Sequence, residues 1–421
     1  MLDMKFIRDN AEAVRKMLSD RGVEADLDAF LEADSRFRTI VDEVNSLKHE
    51  KNIVSREISS EKDPELRKGK IARMQEVNQR LKDLDSESKD LDHRRNQIRL
   101  TIPNMLLPEV PPGPDETANV IVSTWGDPRK LGFEPRPHVE LGTALGILDL
   151  ERGAKIAGSG FYVLKGAGAR LELALAQFMM DVHREQGYTE IWLPALCNTE
   201  SMTGTGQLPK FEEDMYKLSG DNLYMIPTAE VPVTNLHRDE ILDMKDLPIR
   251  YQAFSLCFRR EAGRHVGEEG IIRVHQFSKV ELVSLTTPEG SEKELERLTE
   301  DACEVLRRLE LPYSKIILCS GDTTFSSSKT YDIEVYSPAG DRWLEVSSCS
   351  NFTDFQARRA MIKFRRQPHL PSEFLHTLNG SGLAIGRTMV AILENYQRED
   401  GSMEIPKALR PYMGGLKEIR A

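Results

Sequence analysis

Two stretches of this chain carry side chains for an apolar seam at strictly alternating steps of three and four. Phe37, Ile40, Val44, Leu47, Lys51, Val54 and Ile58 form the first series, and Met74, Val77, Leu81, Leu84, Ser88, Leu91, Arg95 and Ile98 the second. That spacing is the seam of a helix paired along its length with another helix. Between them lies SSEKDPELRKG, whose Asp63-Pro64 step stops the first helix, so the pair is predicted to be an antiparallel hairpin. A single helix over residues 70–99 extends about 45 Å at about 1.5 Å per residue. A two-helix seam is too thin to be a domain core, so the hairpin is expected to project as an arm over residues 35–100. Ahead of it, KFIRDNAEAVRKMLSDRG reads as an amphipathic helix that ends at Gly22 and packs against the body.

The arm's charge differs from that of the whole. With 57 Lys plus Arg against 68 Asp plus Glu, the 421-residue chain has net charge −11, which excludes a generic polyanion-binding coat. Between Lys62 and Lys82, however, seven basic residues (Lys62, Arg67, Lys68, Lys70, Arg73, Arg80 and Lys82) meet three acids, a local +4. Such a separation suits a phosphate backbone, and it equally suits a solvated coiled-coil face. The opening MLDMKFIRDNAEAVRKML lacks the apolar centre of a secretory signal, and no run approaches the about 20 apolar residues that span a bilayer. Five scattered cysteines, Cys197, Cys257, Cys303, Cys319 and Cys349, form no CxxC pair, so buried free thiols and a reducing cytoplasm are expected.

Composition divides the chain near residue 103. Residues 1–102 are expected to form the helical domain, the Pro-rich stretch 103–115 an extended linker and residues 116–421 the body that holds the chemistry. In the body, ARLELALAQFMMDVHREQG has helical spacing, and YTEIWLPAL reads as a strand broken by Pro194. In RYQAFSLCFRRE, alternation sets Ser255, Cys257, Arg259 and Glu261 on one face and points Arg260 away. In IIRVHQFSKVELV, Arg273, His275, Phe277, Lys279 and Glu281 share a face, with His275 read as structural. Paired as an antiparallel hairpin, these segments present guanidinium, carboxylate and aromatic ring together, a set that suits a nucleotide or a structural ion pair beside a core ring. DRWLEVSSCSNF offers Glu345 among hydroxyls, a hard-oxygen setting for Mg2+. NGSGLAIGRTMVAILENYQ places Gly380, Gly382 and Gly386 where a backbone could approach a ligand, with Arg387 in the first turns of a helix.

FRRE at 258–261, GLAIGRTMVAILE at 382–394 and GYTEIWLPAL, with Pro194, resemble the three signatures of the class II aminoacyl-tRNA synthetases. MIPTAEVPVTN at 225–235, RVHQFSKVEL at 273–282, NGSGLAIGR at 379–387 and GTGQLPKF at 204–211 resemble the seryl branch of that family. The resemblance covers essentially the whole chain. It implies an α+β fold, an antiparallel sheet of six to eight strands flanked by helices behind a coiled-coil arm, working as a cytoplasmic homodimer. It also implies activation of L-serine by ATP and transfer to tRNA(Ser), with tRNA(Sec) a candidate second acceptor. The arm of one subunit would grip tRNA bound across the other through the seven basic residues.

By likeness, Arg259 and Arg387 are the catalytic residues. Arg259, Arg260, Glu261, Val274, Phe277, Glu345, Val346, Ser347, Ser348 and Arg387 hold ATP, and Glu345 and Ser348 hold Mg2+. Strict alternation would put Glu345 and Ser348 on opposite faces, so a bend or strand end after Val346 is required. Thr228, Ala229, Glu230, Arg259, Glu281, Asn379 and Ser381 fall at the serine positions, and which carboxylate meets which group of serine is open. One departure is the loop AGRHVGEEG, where Glu268 and Glu269 stand in place of a basic residue common in the family and Arg264 and His265 lie earlier. A paralogue that charges a non-tRNA acceptor and a noncatalytic coiled-coil regulator are the alternative readings.

Overall fold

The computed structural model describes residues 1–262 and 270–421. The chain forms two units: Leu2–Ser19 with Val23–Pro103, and Asn104–Ala421 with Met1 and Asp20–Gly22.

In the helical unit, the two seams become α1, Leu27–Ser60, and α2, Pro64–Thr101. The turn between them is shorter than expected. Asp63 caps α2 by accepting from the Glu65 and Leu66 N–H groups, and Pro64 takes the first helical position, where its missing N–H leaves no bond unmade. Residues 64–69 are therefore helix and not loop, and α2, at 38 residues, runs about 57 Å. Ile40, Val77 and Leu84 are buried in the seam. Its flanks are held by Arg36 to Glu87 (2.7 and 2.9 Å), Glu43 to Arg80 (2.8 and 3.1 Å) and Glu50 to Arg73 (2.7 Å). Each seven-residue step down α1 is matched by seven up α2, so these exposed pairs set the antiparallel register more than they add stability. Arg95 occupies a seam position because it stacks 3.6 Å over Phe37 and bonds buried Asp34 at 3.0 Å, which also accepts from Arg8.

These pairs also correct the charge count. Arg73, Arg80 and Lys70, the last 2.9 Å from Glu61, are neutralised by acids outside the segment that was counted. Among the described residues no ion pair engages Lys62, Arg67, Lys68 or Lys82.

The body is built on a sheet of eight strands. In chain order they are β1 Val120–Trp125, β2 Thr189–Glu190, β3 Ile249–Phe258, β4 Gln276–Thr286, β5 Tyr313–Ile317, β6 Lys329–Ser337, β7 Arg342–Asn351 and β8 His376–Ala384. Their spatial order is β1-β5-β6-β7-β8-β4-β3-β2, antiparallel throughout except where short β2 runs parallel to β3. Helices α3 (Ala167–Glu185), α4 (Ser291–Arg308) and α5 (Ile385–Asn395) share one hydrophobic core with this sheet, where Leu171, Leu175 and Met179 meet Val280, Leu282, Leu298, Leu378 and Ile392. The opposite face of β4, with Phe277, Lys279 and Glu281, is left for polar chemistry.

Two of the three glycines serve the core. A Cβ on Gly380 would lie 2.4 Å from Leu298 Cδ2, and one on Gly382 would lie 2.4 Å from His183 Nε2. They let helices approach the back of β8, contrary to the expected approach to a ligand, and only Gly386 borders the cavity described below.

The Pro-rich stretch is not free chain. Asn104 donates from its backbone to Phe325 O (3.0 Å) and from Nδ2 to Ser326 O (3.0 Å) and Phe352 O (2.7 Å). Further along, the N–H groups of Ser320 and Gly321 donate to Pro111 O and Gly113 O, both at 2.9 Å. All five cysteines are buried and free. No helix among the described residues is long and apolar enough to cross a membrane.

Candidate active site

The exposed end of the sheet opens into a cavity of about 580 Å3. Strand β3 ends at Phe258, yet pairing continues for one residue: the Arg259 N–H donates to His275 O at 2.9 Å, and His275 Nδ1 donates to Arg259 O at 3.0 Å. His275 is thus structural, and this clasp aims Arg259 into the cavity, its guanidinium 5.1 Å from the centre of the Phe277 ring. Glu261 follows with φ 50°, a left-handed conformation unfavourable for a non-glycine residue, which turns its carboxylate back to accept from Arg273 at 2.8 Å. Arg260 goes the other way, its N–H to Asp214 O and its guanidinium to Glu213 O. Its side chain does not line the cavity, unlike those of Arg259 and Glu261 on either side of it.

Arg387, in the first turn of α5, enters from the far side of the sheet. It donates to Ile272 O (3.2 Å) and Glu345 O (2.7 Å) and pairs with the Glu345 carboxylate at 3.2 Å. The bend required near Val346 is a β-bulge: Ile333 pairs with Ser347 and Glu334 with Glu345, leaving Val346 over. The extra residue puts Glu345 and Ser348 on the same cavity wall. Across from Ser348 stands Asp332, whose Oδ1 is shut off from solvent without a hydrogen-bond partner. Burial, and after it the Glu345 charge, pushes Asp332 well above the usual carboxylate range. Two carboxylates and a hydroxyl, one oxygen of them orphaned, fit a hard divalent cation. Among the described residues no three His, Cys, Asp or Glu side chains form a metal cage, so a cation here would draw its remaining ligands from phosphate or water.

The other end of the cavity is small and densely bonded. Lys279 donates to Thr228 Oγ1 at 2.9 Å and pairs directly with Glu281. Thr228 donates to Glu281 Oε2 at 3.1 Å, and Asn379 donates to Glu281 Oε1 at 2.7 Å. Glu281 is fully buried and forms the floor beneath Thr228 and Asn379. Glu230 accepts from Gln356 at 2.6 Å, and Gln356 is itself held by Thr377 at 2.8 Å. Burial first, and the charge of Glu281 second, push the Glu230 carboxyl up to about 7.

Of the residues expected from sequence, Arg259, Glu261, Val274, Phe277, Glu345, Val346, Ser348, Arg387, Thr228, Glu230, Asn379 and Ser381 line this one cavity. Two do not. Ala229 packs its side chain against Val233, Ala253 and Val283, and Ser347 is buried, donating to Ser381 O at 2.6 Å. The Glu268-Glu269 loop, with Arg264 and His265, lies outside the described residues. Lys279, Asp332, Arg273 and Gln356 were not picked out. Alternation in β4 placed Lys279 on the right face, whereas Asp332 and Gln356 are identified only by what lies across from them.

Residues 1–106 match the family model described as the seryl-tRNA synthetase N-terminal domain, and residues 211–396 match the class II tRNA synthetase core domain for G, H, P, S and T. The serine-tRNA ligase of Halothermothrix orenii is 57% identical over 98% of this chain and 99% of its own, and that of Pelobacter propionicus 53% over the full length of both. The chain belongs to the seryl-tRNA synthetase family. The seryl-tRNA synthetase of Pyrococcus horikoshii, solved in complex with ATP, superposes with a TM-score of 0.95 at 38% identity over 100% of this chain and 99% of that one. A cytoplasmic serine-tRNA ligase of Naegleria fowleri, solved with AMP, gives 0.89 at 31%, again over 100% of this chain and 99% of that one. Seryl-tRNA synthetase membership accounts for both units: the arm matches that family's N-terminal domain, and the cavity's lining residues other than Thr205, Gly206 and Gln207 fall within the class II core.

Proposed function

We propose that the protein is an ATP-dependent serine-tRNA ligase. The observation that carries the reading is that a single cavity joins a ring flanked by guanidiniums and carboxylates to a densely hydrogen-bonded end lined by Thr228, Glu230, Lys279 and Asn379. The serine carboxylate oxygen attacks the α-phosphorus of ATP, forming seryl-adenylate and releasing pyrophosphate. The terminal ribose hydroxyl of tRNA then attacks the activated carbonyl, giving seryl-tRNA and AMP.

Neither step needs a protein nucleophile, so catalysis rests on orientation and on charge placed where the transition state develops it. Arg259 draws the serine carboxylate and the α-phosphate together. Phe277 stacks under adenine, Glu261 takes its amino group, and Arg387 covers the nucleotide and reaches its phosphates. Mg2+ bound to the triphosphate would neutralise charge on the leaving pyrophosphate; Glu345 and Ser348 would hold it, with the orphaned Asp332 oxygen beside them. Glu230 receives the serine ammonium, because every oxygen of Glu281 already has a protein donor.

Of the seven basic residues between 62 and 82, the four that no ion pair engages among the described residues, Lys62, Arg67, Lys68 and Lys82, are the preferred contacts to the tRNA backbone, and Arg73, Arg80 and Lys70 secondary ones. The acceptor is tRNA(Ser), with tRNA(Sec) to be tested beside it. In the body Trp192 is 88%, Ile156 76% and Leu173 59% exposed, apolar surface that suits a second copy of the chain in a homodimer. A cytoplasmic location follows from the acceptor.

Serine-dependent ATP-pyrophosphate exchange, followed by charging of total tRNA with each amino acid in turn, tests the reading. Exchange and charging with serine are expected. Exchange without charging would point to a different acceptor, and no exchange with any amino acid would point to a regulator.

A further inference from the structure

Glu261, at φ 50°, holds a left-handed conformation that in a non-glycine residue persists only where its surroundings fix it. The residues on either side of it are gripped by one other residue. The Arg260 N–H donates to Asp214 O at 2.9 Å, and the Ala262 N–H donates to Asp214 Oδ1 at 3.0 Å. Two N–H groups that flank Glu261 thus converge on Asp214, the first on its main chain and the second on its side chain. Between them the Glu261 side chain is turned to Arg273, at 2.8 Å, and to the cavity, which Asp214 also lines.

Asp214 is itself fixed from behind. It ends the turn Glu212–Asp214, in which its own N–H donates to Phe211 O at 3.1 Å. The next residue, Met215, is buried in a small core with Tyr224, Ile226 and Val231, and the Tyr224 hydroxyl donates to Glu212 at 3.1 Å. The Met225 N–H donates to Tyr216 O and the Phe258 N–H to Ile226 O, both at 2.9 Å, so the same segment is tied to the end of β3. Any residue at position 214 would supply the carbonyl for Arg260. Only a short side chain with an acceptor oxygen can supply the second bond, to Ala262.

We infer that Asp214 is a positioning residue for selection of the nucleobase: its carboxylate, by holding Ala262, keeps Glu261 in the left-handed turn that directs the Glu261 carboxylate at the base. The inference rests on the reading of Glu261 as the group that takes the adenine amino group. Without Asp214 Oδ1 the turn is held on its Arg260 side alone, and the backbone at Glu261 is free to relax toward negative φ, which swings the carboxylate away. The loss falls on recognition of the exocyclic amino group, while the small end of the cavity, built from other segments, is untouched.

The test uses the full-length protein in serine-dependent ATP-pyrophosphate exchange, comparing ATP with purine riboside triphosphate, the analogue in which hydrogen replaces the exocyclic amino group. Asp214→Ala is expected to lower the preference for ATP over the analogue, taken as a ratio of kcat/KM, by about 3- to 10-fold, the range of one hydrogen bond, with the KM for serine within about twofold of the parent. Asp214→Asn keeps an acceptor oxygen without the charge and should retain most of that preference. Glu261→Ala should abolish the preference, and adding Asp214→Ala to it should change the ratio no further, because Asp214 acts through Glu261. A general loss of packing would depress ATP and the analogue alike and could not produce that dependence on Glu261. A ratio unchanged in Asp214→Ala, an equal fall in Asp214→Asn, or a further fall in the double variant overturns the inference. A ratio that Glu261→Ala leaves unchanged overturns the adenine reading beneath it, and the inference with it.

Discussion

Glu230 ties serine binding to pH. Its carboxyl is buried beside Glu281, which raises it to about 7 from an ordinary value of 4.5, and Gln356, Lys279 and Arg259 only partly offset that rise. A group raised in this way stays protonated in the folded protein while it ionises in the unfolded chain. Between about pH 4.5 and 7 the unfolded state therefore binds fewer protons, and stability falls as pH rises through that window, by about 3 kcal/mol in all. The serine ammonium reverses the preference, since it needs the ionised carboxylate. If only that form binds, the apparent Kd for serine scales as one plus the ratio of protonated to ionised Glu230, so affinity weakens about tenfold from pH 8 to pH 6. Calorimetric titration of serine in buffers of different ionisation enthalpy should show release of about half a proton per site at pH 7, vanishing in Glu230→Gln along with most of the affinity. A serine Kd that is flat between pH 6 and 8, with no proton released, would refute the assignment of the ammonium to Glu230.

Arg259→Ala removes the group proposed to bridge the two reactants, and serine-dependent exchange should fall by at least about 100-fold with the melting temperature nearly unchanged. Shortening the arm between Glu43 and Arg80, which keeps the Arg36-Glu87 bridge, should leave exchange intact and abolish tRNA charging; unchanged charging would refute the role given to the arm. Gly382→Ala forces a methyl to within 2.4 Å of His183 Nε2 on the core side of β8, so a loss of about 1 to 3 kcal/mol is expected in denaturant unfolding, and none would contradict the packing role of that glycine.

What could be read from the sequence was what depends on local order. The three-four spacing of the arm survives in the structure because it needs only one helix's own geometry, and alternation in β3 and β4 brought Phe277 and Glu281 to the same face for the same reason. The Glu345-Ser348 pair shows the limit of that information. Alternation required a break near Val346, but the bulge that supplies it is defined by the register with β6, which no local pattern contains. The Asp63-Pro64 step does separate the two helices, but residues 65–69, expected as loop, are helix because Asp63 caps α2 and Pro64 opens it; a local capping signal was present beside the breaker.

The remaining misreadings share a cause. The charge of the arm was counted along α2, while Glu43 and Glu50, which neutralise Arg80 and Arg73, come from α1 across the seam. Gly380 and Gly382 were expected to let the backbone approach a ligand, yet a one-residue step along β8 from Asn379 and Ser381 changes the face, and the helices lie on theirs. Asp332 and Gln356 have unremarkable sequence neighbours and matter only because Ser348 and Glu230 stand opposite. In each case the deciding fact is what faces a residue across a gap. The small end of the cavity depends on such facts most heavily, since Lys279 and Glu281 come from β4, Thr228 from the chain ahead of β3 and Asn379 from β8, and only the fold brings the four within hydrogen-bond reach of one another.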